Sequence, residues 1–266
     1  MNFHDPESVY NLANIRTSLI RMEDTIIFTL IERSDFPQSP VIYSSTSDIA
    51  IPKSFIQNGV PSTPKHASFL DWLFSEHEHI QSQVRRFQSP DQLPFYPQAV
   101  VKSFLPPIEY PKLLANYFRE INVNSEIMNI YLKEMIPGVA IEGEDSENIG
   151  STAMADMAVL QALSRRIHFG MFVAEAKYRS DRDKFRKLIE SKDIDGISNE
   201  ITNAAVEQKI LERLVEKAEK YGTDPVFGGK AKVEPEVVVG IYRDWVIPLT
   251  KKVEVEYLLR RLEDDD

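Results

Sequence analysis

Apolar residues recur every three or four positions along four long stretches of this chain, the period of a helix with one buried face. The first stretch runs from about Ser8 to Ser34, with the line Val9, Leu12, Arg16, Leu19, Glu23, Ile26, Leu30 and with Asp5 or Ser8 as caps. The second runs from about Ser151 to Arg179, with the line Val159, Leu163, Arg166, Gly170, Val173, Lys177. The third starts at a cap on Ser198 or Asn199 and ends at Tyr221-Gly222, where glycine suits a left-handed C′ position. Its line is Asn203, Glu207, Ile210, Leu214, Ala218. The fourth begins at Pro235, a natural first helical residue, and carries Val246, Thr250, Glu254, Tyr257 toward the C-terminus, with a kink expected at Pro248. Weaker helical patterns cover 68–87 and 125–136.

Proline and glycine sharpen this picture. Eleven of the 16 prolines fall between Pro37 and Pro111, and none falls between Gly138 and Asp224. Proline disrupts helix interiors by about 3 kcal/mol. The proline-free stretch can therefore hold long helices, and 36–111 must be short helices and loops. Only 10 glycines occur, and no Asn-Gly or Asp-Gly lies between alternating apolar runs, so a hairpin-rich β protein is excluded. The expected fold class is all-α: a helical bundle with short helices and loops in the proline-rich region.

Composition changes the picture in three ways. With 42% hydrophobic residues the chain of 266 can bury a sizeable core. With 31 basic against 41 acidic residues, a formal charge of −10, it has no excess of the kind that coats nucleic acid. The absence of cysteine removes disulfides, thiolate nucleophiles and cysteine metal sites, and fits a reducing compartment. No run of about 18 apolar residues is present and the N-terminus MNFHDPESVY has no signal-peptide pattern, so no membrane span is expected and the default location is cytoplasmic.

The candidate chemistry lies where charges interrupt the apolar lines. Arg16 and Glu23 are two turns apart on one line; Arg166 and Lys177 are three turns apart on another. Asn203 with Glu207, and Thr250 with Glu254, are each one turn apart. Charges on core-facing lines need partners, because unpaired burial costs several kcal/mol. Two readings stay open on pattern alone. One is a bundle joined by internal salt bridges. The other is a polar pocket between helices, suited to an anionic ligand if one of the three acids is neutral.

The segments NIRTSLIRMEDTIIFTLIERS, LSRRIHFGMFVAEAKYRS, ITNAAVEQKILERL and IPLTKKVEVEYLLRRLE resemble the yeast-type chorismate mutase family. The likeness includes FLDWLFSEHEHIQSQVRRFQSPDQLPF and KSFLPPIEYP, and weakens at 37–66, 138–147 and 223–233. The resemblance implies a single domain over 1–266, with a catalytic four-helix bundle (about 8–34, 151–179, 198–221 and 235–262) and a regulatory and dimer region (about 36–150). It implies a Claisen rearrangement of chorismate to prephenate, toward Phe and Tyr, with no cofactor and no metal. It gives Arg16 and Arg166 the two substrate carboxylates, and Lys177 and Glu254 the ether oxygen of the breaking bond. Glu207 takes the ring hydroxyl, while Asn203 and Thr250 line the pocket. Glu23 is an acid behind the pocket that orients an arginine, with Arg213 as co-partner.

These residue types suit such a reaction. An intramolecular rearrangement is helped by holding the reactive conformer and by donors aimed at the ether oxygen. Glu254 donates only when protonated, so its pKa should be raised and the activity profile acid-shifted. Glu254→Gln should keep activity and flatten the pH dependence.

The resemblance also implies a homodimer, activated by Trp and inhibited by Tyr at a site between subunits. Arg85, Arg86, Asn148, Gly150 and Ser151 match its effector-binding residues. Two positions depart from the pattern: Met154 and Glu234 stand where the family has threonines. The rival readings are a catalytically inactive amino-acid-binding homologue and a structural helical dimer.

Other candidates have plain readings. His77 and His79, two apart on a helix, face different ways and suit no metal. His168 is packed or hydrogen-bonded rather than catalytic. The acidic run Glu142, Glu144, Asp145, Glu147 is a solvated loop without calcium spacing. Gly228-Gly229 is a turn, and Glu263 to Asp266 fray.

Overall fold

The structure is a computed structural model, and it describes residues 1–49, 51, 68–223 and 231–264. Gly228-Gly229, Asp265 and Asp266 lie outside the described residues. Among those described, helices make up the regular structure, and the β component is a single bridge between Thr223 and Ala231. No described helix is long and apolar enough to cross a membrane.

The first long segment is two helices, α1 (Pro6–Tyr10) and α2 (Leu12–Arg33). Asp5 caps α1 as expected, its Oδ1 accepting from the Glu7 amide at 3.1 Å. Asn11 breaks the helix with extended backbone (φ −74°, ψ 111°), and its Oδ1 accepts from the Ala13 amide at 2.9 Å to start α2. The proline-rich region holds short 3₁₀ turns at Pro40–Ile42 and Pro97–Ala99 around one longer helix, α3 (Phe69–Gln83). Ser68 and Asp71 cap each other reciprocally at its start. It ends earlier than the pattern suggested, because Arg85 takes a left-handed φ of 72° before the 3₁₀ turn Arg86–Gln88.

Next come α4 (Asn124–Ile130), a π turn (Tyr131–Met135) and α5 (Ile136–Val139). The second long segment is α6 (Ile149–His168) followed at once by α7 (Gly170–Ser180). Two short helices follow that the apolar period did not single out: α8 (Arg182–Glu190) and α9 (Ile194–Ile201). Asp181 and Asp193 cap them through the amides of Lys184 and Gly196.

The third segment, α10 (Ala204–Gly222), starts later than expected. Its cap is Asn203, whose Oδ1 accepts from the Val206 amide at 3.1 Å, rather than Ser198 or Asn199. Gly222 is its last helical residue, and Thr223 continues in extended backbone (φ −91°) without a left-handed turn. The fourth segment is α11 (Pro235–Ile241), a π turn (Tyr242–Val246) and α12 (Ile247–Leu259). Pro248 is accommodated here by the widened turn before it. Proline clashes with the carbonyl four residues back and cannot donate to it. A π turn relieves both problems, and Ile136-Pro137 is preceded by one in the same way.

The chain divides into two compact units. One comprises Met1–Phe28, Glu109–Val123 and Ala162–Asp266; the other comprises Thr29–Ile108 and Asn124–Gln161. The division falls within α2 and within α6. In the first unit α7 packs on α12 and α10 on α11, around a core that includes Ile26, Leu163, Phe172, Leu214 and Val253. Its C-terminal end does not fray at Glu263 and Asp264. Asp264 accepts from Lys112 Nζ at 2.9 Å and from the Asn116 amide at 2.9 Å, and Arg260 pairs with Glu263. In the second unit the core includes Leu30, Phe74, Ile127 and Val159, with the buried pair Arg33–Asp156 among them.

Candidate active site

The polar cluster is built in the first unit from α6, α7, α10 and α12. Arg166, in the last turn of α6, is 4% exposed. Its Nη1 donates to Thr250 Oγ1 at 3.3 Å, and its Nε is buried with no hydrogen-bond partner. Thr250 donates in turn to the Val246 carbonyl at 2.6 Å, which pins its rotamer. One turn along α12, Glu254 is 6% exposed. Burial pushes its pKa up to about 8, against the opposing pull of the positive charges on Lys177, Arg166 and Lys251.

Lys177, three turns from Arg166, is half-buried. Its Nζ donates to the Ile201 carbonyl at 2.7 Å and the Glu200 carbonyl at 3.3 Å, the free end of α9. A helix C-terminus favours a cation there. Burial lowers its pKa, and the charges of Glu254, Glu200 and Glu207 act in the opposite sense. Glu207, in the first turn of α10, pairs with Lys251 at 2.8 Å.

The structure thus brings Arg166, Lys177, Glu207, Thr250 and Glu254 together. Asn203 stands exposed at the head of α10, one turn before Glu207, with its side chain on its own helix. Arg16 is exposed, as is Leu12 at 44%. The line is therefore open at Leu12 and Arg16, between buried Val9 and buried Glu23, a correction to the expectation that the whole line faces inward. Glu23, on the same line, is 1% exposed. Arg213 forks onto it at 2.9 and 2.6 Å, and Lys217 adds a third donor at 3.1 Å.

Sequence reasoning missed Lys251, Lys217 and Tyr242. Lys251 and Lys217 each neighbour one other charge and break no apolar line. Tyr242 opens the π turn, where the helical period lapses. It is fully buried, its hydroxyl has no hydrogen-bond partner, and the charges of Arg166, Glu23 and Arg213 all act on it. His168 is packed, as expected. Its Nε2 accepts from the Val123 amide at 3.0 Å while Nδ1 donates to the Ser164 carbonyl at 2.8 Å. Those two bonds require the neutral ring, and burial lowers its pKa to about 4.

A family model described as chorismate mutase type II matches residues 149–255, the stretch that carries all five gathered residues. The chorismate mutase of Pichia angusta is 55% identical over 271 residues, covering 100% of this chain and 92% of that one. That of Saccharomyces cerevisiae is 51% identical over 266 residues, covering 99% and 100%. This chain belongs to the chorismate mutase family. Among solved structures, a Candida albicans chorismate mutase in complex with L-Trp superposes with a TM-score of 0.91 at 54% identity, covering 100% of this chain and 97% of the other. A further chorismate mutase structure, AtCM1 with tyrosine bound in its allosteric site, has a TM-score of 0.81 at 37% identity, covering 94% and 96%.

The five residues matched to an effector site lie in the second unit. Gly150, Ser151 and Met154 line an open groove of about 1050 Å³ whose other walls include Phe36, Phe69 and Trp72. Asn148 heads α6: its carbonyl accepts from the Thr152 amide, and its Nδ2 donates to Asp145 at 2.7 Å. Arg85 donates to the Pro106 carbonyl at 2.8 Å. Arg86 acts on Glu78, a buried carboxylate that accepts from the Phe95 and Tyr96 amides and is pushed up to about 7 by burial. Neither arginine is among the groove's lining residues. Asp145 takes the Glu147 and Asn148 amides and Glu144 the Val41 amide, so the acidic loop bonds to its own backbone surroundings. His79 is held by the Ala99 carbonyl and Gln83, and no metal-binding group occurs among the described residues.

Proposed function

We infer that this protein converts chorismate to prephenate by the Claisen rearrangement, toward Phe and Tyr. The observation that carries the reading is Arg166 Nε, a buried cationic donor without a partner, beside a buried acid that stays protonated near neutral pH. A buried arginine left unsatisfied is costly unless an anion completes it. A carboxylate matches its fork bidentately. Arg16, at the open end of the α2 line, takes the second carboxylate.

The reaction breaks the ether C–O bond and forms a C–C bond within one molecule, so no proton, electron or leaving group has to be supplied. Negative charge grows on the ether oxygen as its bond stretches. Lys177, as the ammonium, and Glu254, as the neutral acid, donate to it there. Glu207 takes the ring hydroxyl, Asn203 and Thr250 line the pocket, and Glu23 with Arg213 supports the wall from behind. Neither a cofactor nor a metal is required.

The protein acts as a homodimer in the cytoplasm, in one domain made of the catalytic bundle and a regulatory region. Trp activates it and Tyr inhibits it. Gly150 and Ser151 offer the effector amino acid the start of α6, and Arg85, Arg86 and Asn148 complete its binding. Met154, 46% exposed in the groove, gives the effector an apolar contact in place of a hydroxyl. Glu234 precedes α11 without capping it through its side chain.

The test is the loss of chorismate followed across pH, with and without Trp and Tyr. Turnover that falls as pH rises through about 8 is expected, with a higher rate in Trp and a lower one in Tyr. Binding of Trp or Tyr without turnover would identify an inactive regulatory homologue instead.

A further inference from the structure

Gly170 is the first residue of α7, on the pocket line between Arg166 four residues before and Lys177 seven after. A Cβ there would lie 2.9 Å from Thr250 Cγ2, 3.1 Å from Glu254 Cγ and 3.1 Å from the Thr250 carbonyl oxygen. All three atoms belong to the α12 face that lines the pocket. Glycine is the poorest helix former after proline, by about 1 kcal/mol against alanine. A helical glycine facing α12 calls for a reason in packing.

Nothing next to it can yield. The Thr250 oxygen is main chain and moves only with α12. Thr250 Cγ2 could swing away only by turning the side chain, but its hydroxyl is tied to the Val246 carbonyl and accepts from Arg166. Glu254 is buried, so its Cγ has little room, and displacing it would displace its carboxyl. We propose that Gly170 is a positioning residue for the rearrangement: the missing side chain lets α12 approach α7 until Glu254 and Thr250 reach the line that carries Arg166 and Lys177. This inference rests on the function proposed above.

The experiment compares wild type, Gly170→Ala, Thr250→Ser, the Gly170→Ala/Thr250→Ser pair and Gly240→Ala. Gly240 is a helical glycine of α11 whose added Cβ would meet only Asp244, at 3.9 Å, and it controls for helix propensity. Chorismate turnover is measured across pH, with the unfolding midpoint of each protein. Gly170→Ala should lower kcat at least tenfold, with less change in KM. It should also move the alkaline limb to lower pH, since a displaced Glu254 loses burial and titrates nearer its ordinary value. The loss should be smaller in the Thr250→Ser background, which removes the 2.9 Å contact. Gly240→Ala should leave turnover and limb unchanged.

An active wild type with the same kcat and limb in Gly170→Ala would overturn the inference and leave the function standing. Equal losses in both Thr250 backgrounds would also overturn it. Failure of both Gly170 variants to fold would assign the glycine to packing alone and overturn it too. An inactive wild type would instead refute the proposed function, whatever the variants did.

Discussion

Two buried arginines, one in each unit, differ in how far the protein itself satisfies them. Arg33 is fully buried, and all three of its nitrogens are engaged. Nε pairs with Asp156, Nη1 donates to the Phe36 carbonyl at 2.9 Å, and Nη2 donates to the Gln38 carbonyl at 3.2 Å and to Tyr43 Oη at 3.0 Å. Asp156 is completed by the hydroxyls of Tyr43 and Tyr131. Arg166 is buried almost as deeply, yet has one long bond to Thr250 and an Nε with none. A network that satisfies itself needs no ligand, and one left open is completed from outside.

Two glutamates in the first unit repeat the contrast. Glu175 accepts from Arg261, Arg179 and Tyr257, and its pKa is lowered because those bonds outweigh burial. Glu254 is pushed up to about 8 because burial outweighs the nearby cations. The first acid ties the C-terminal segment to α7; the second is kept neutral where it can donate.

The contrast can be broken in three ways. The largest effect should come from Arg166→Leu. Turnover should fall about a thousandfold, equivalent to about 4 kcal/mol of barrier, while the urea midpoint holds or rises because an unpaired charge has gone. A variant that loses stability and keeps activity would make Arg166 a second Arg33. Next is Asp156→Asn, which strands Arg33 and should cost about 3 kcal/mol in urea unfolding. A loss under about 1 kcal/mol would show that the network is not the tie the geometry suggests.

The third effect is on stability in Glu254→Gln. The folded pKa is raised, so this acid costs nothing below its ordinary value of 4.5, a growing amount between 4.5 and about 8, and a constant amount above. The variant should gain stability over wild type as pH rises from about 4.5 toward 8, with no difference near pH 4. An equal difference at both pH values would place the proton elsewhere.

The all-α class was legible because proline and glycine exclude the alternatives regardless of packing. The lines through Arg166, Thr250 and Glu254 were legible because their helices keep the 3.6 period. The Asn11 break was hidden, since Val9, Leu12 and Arg16 stay in phase across it. Asn203 looked like an interior residue because a cap and a helical position share the same spacing to Glu207. The caps of α8 and α9, Asp181 and Asp193, were present but each helix is too short for its period to stand out. Tyr242 was lost where the π turn resets the phase. The orphaned Nε of Arg166 has no sequence signature at all, because it depends on distances between helices that only packing sets. Gly170 was on the line, but what its missing side chain makes room for became visible only with α12 in place.

The central claim is that a buried, protonated Glu254 donates to the reacting oxygen, and the pH profile of chorismate turnover in wild type and Glu254→Gln tests it most directly. The account predicts a wild-type rate that falls as pH rises through about 8 and a variant that stays active with no such limb. The same falling limb in both proteins would contradict it.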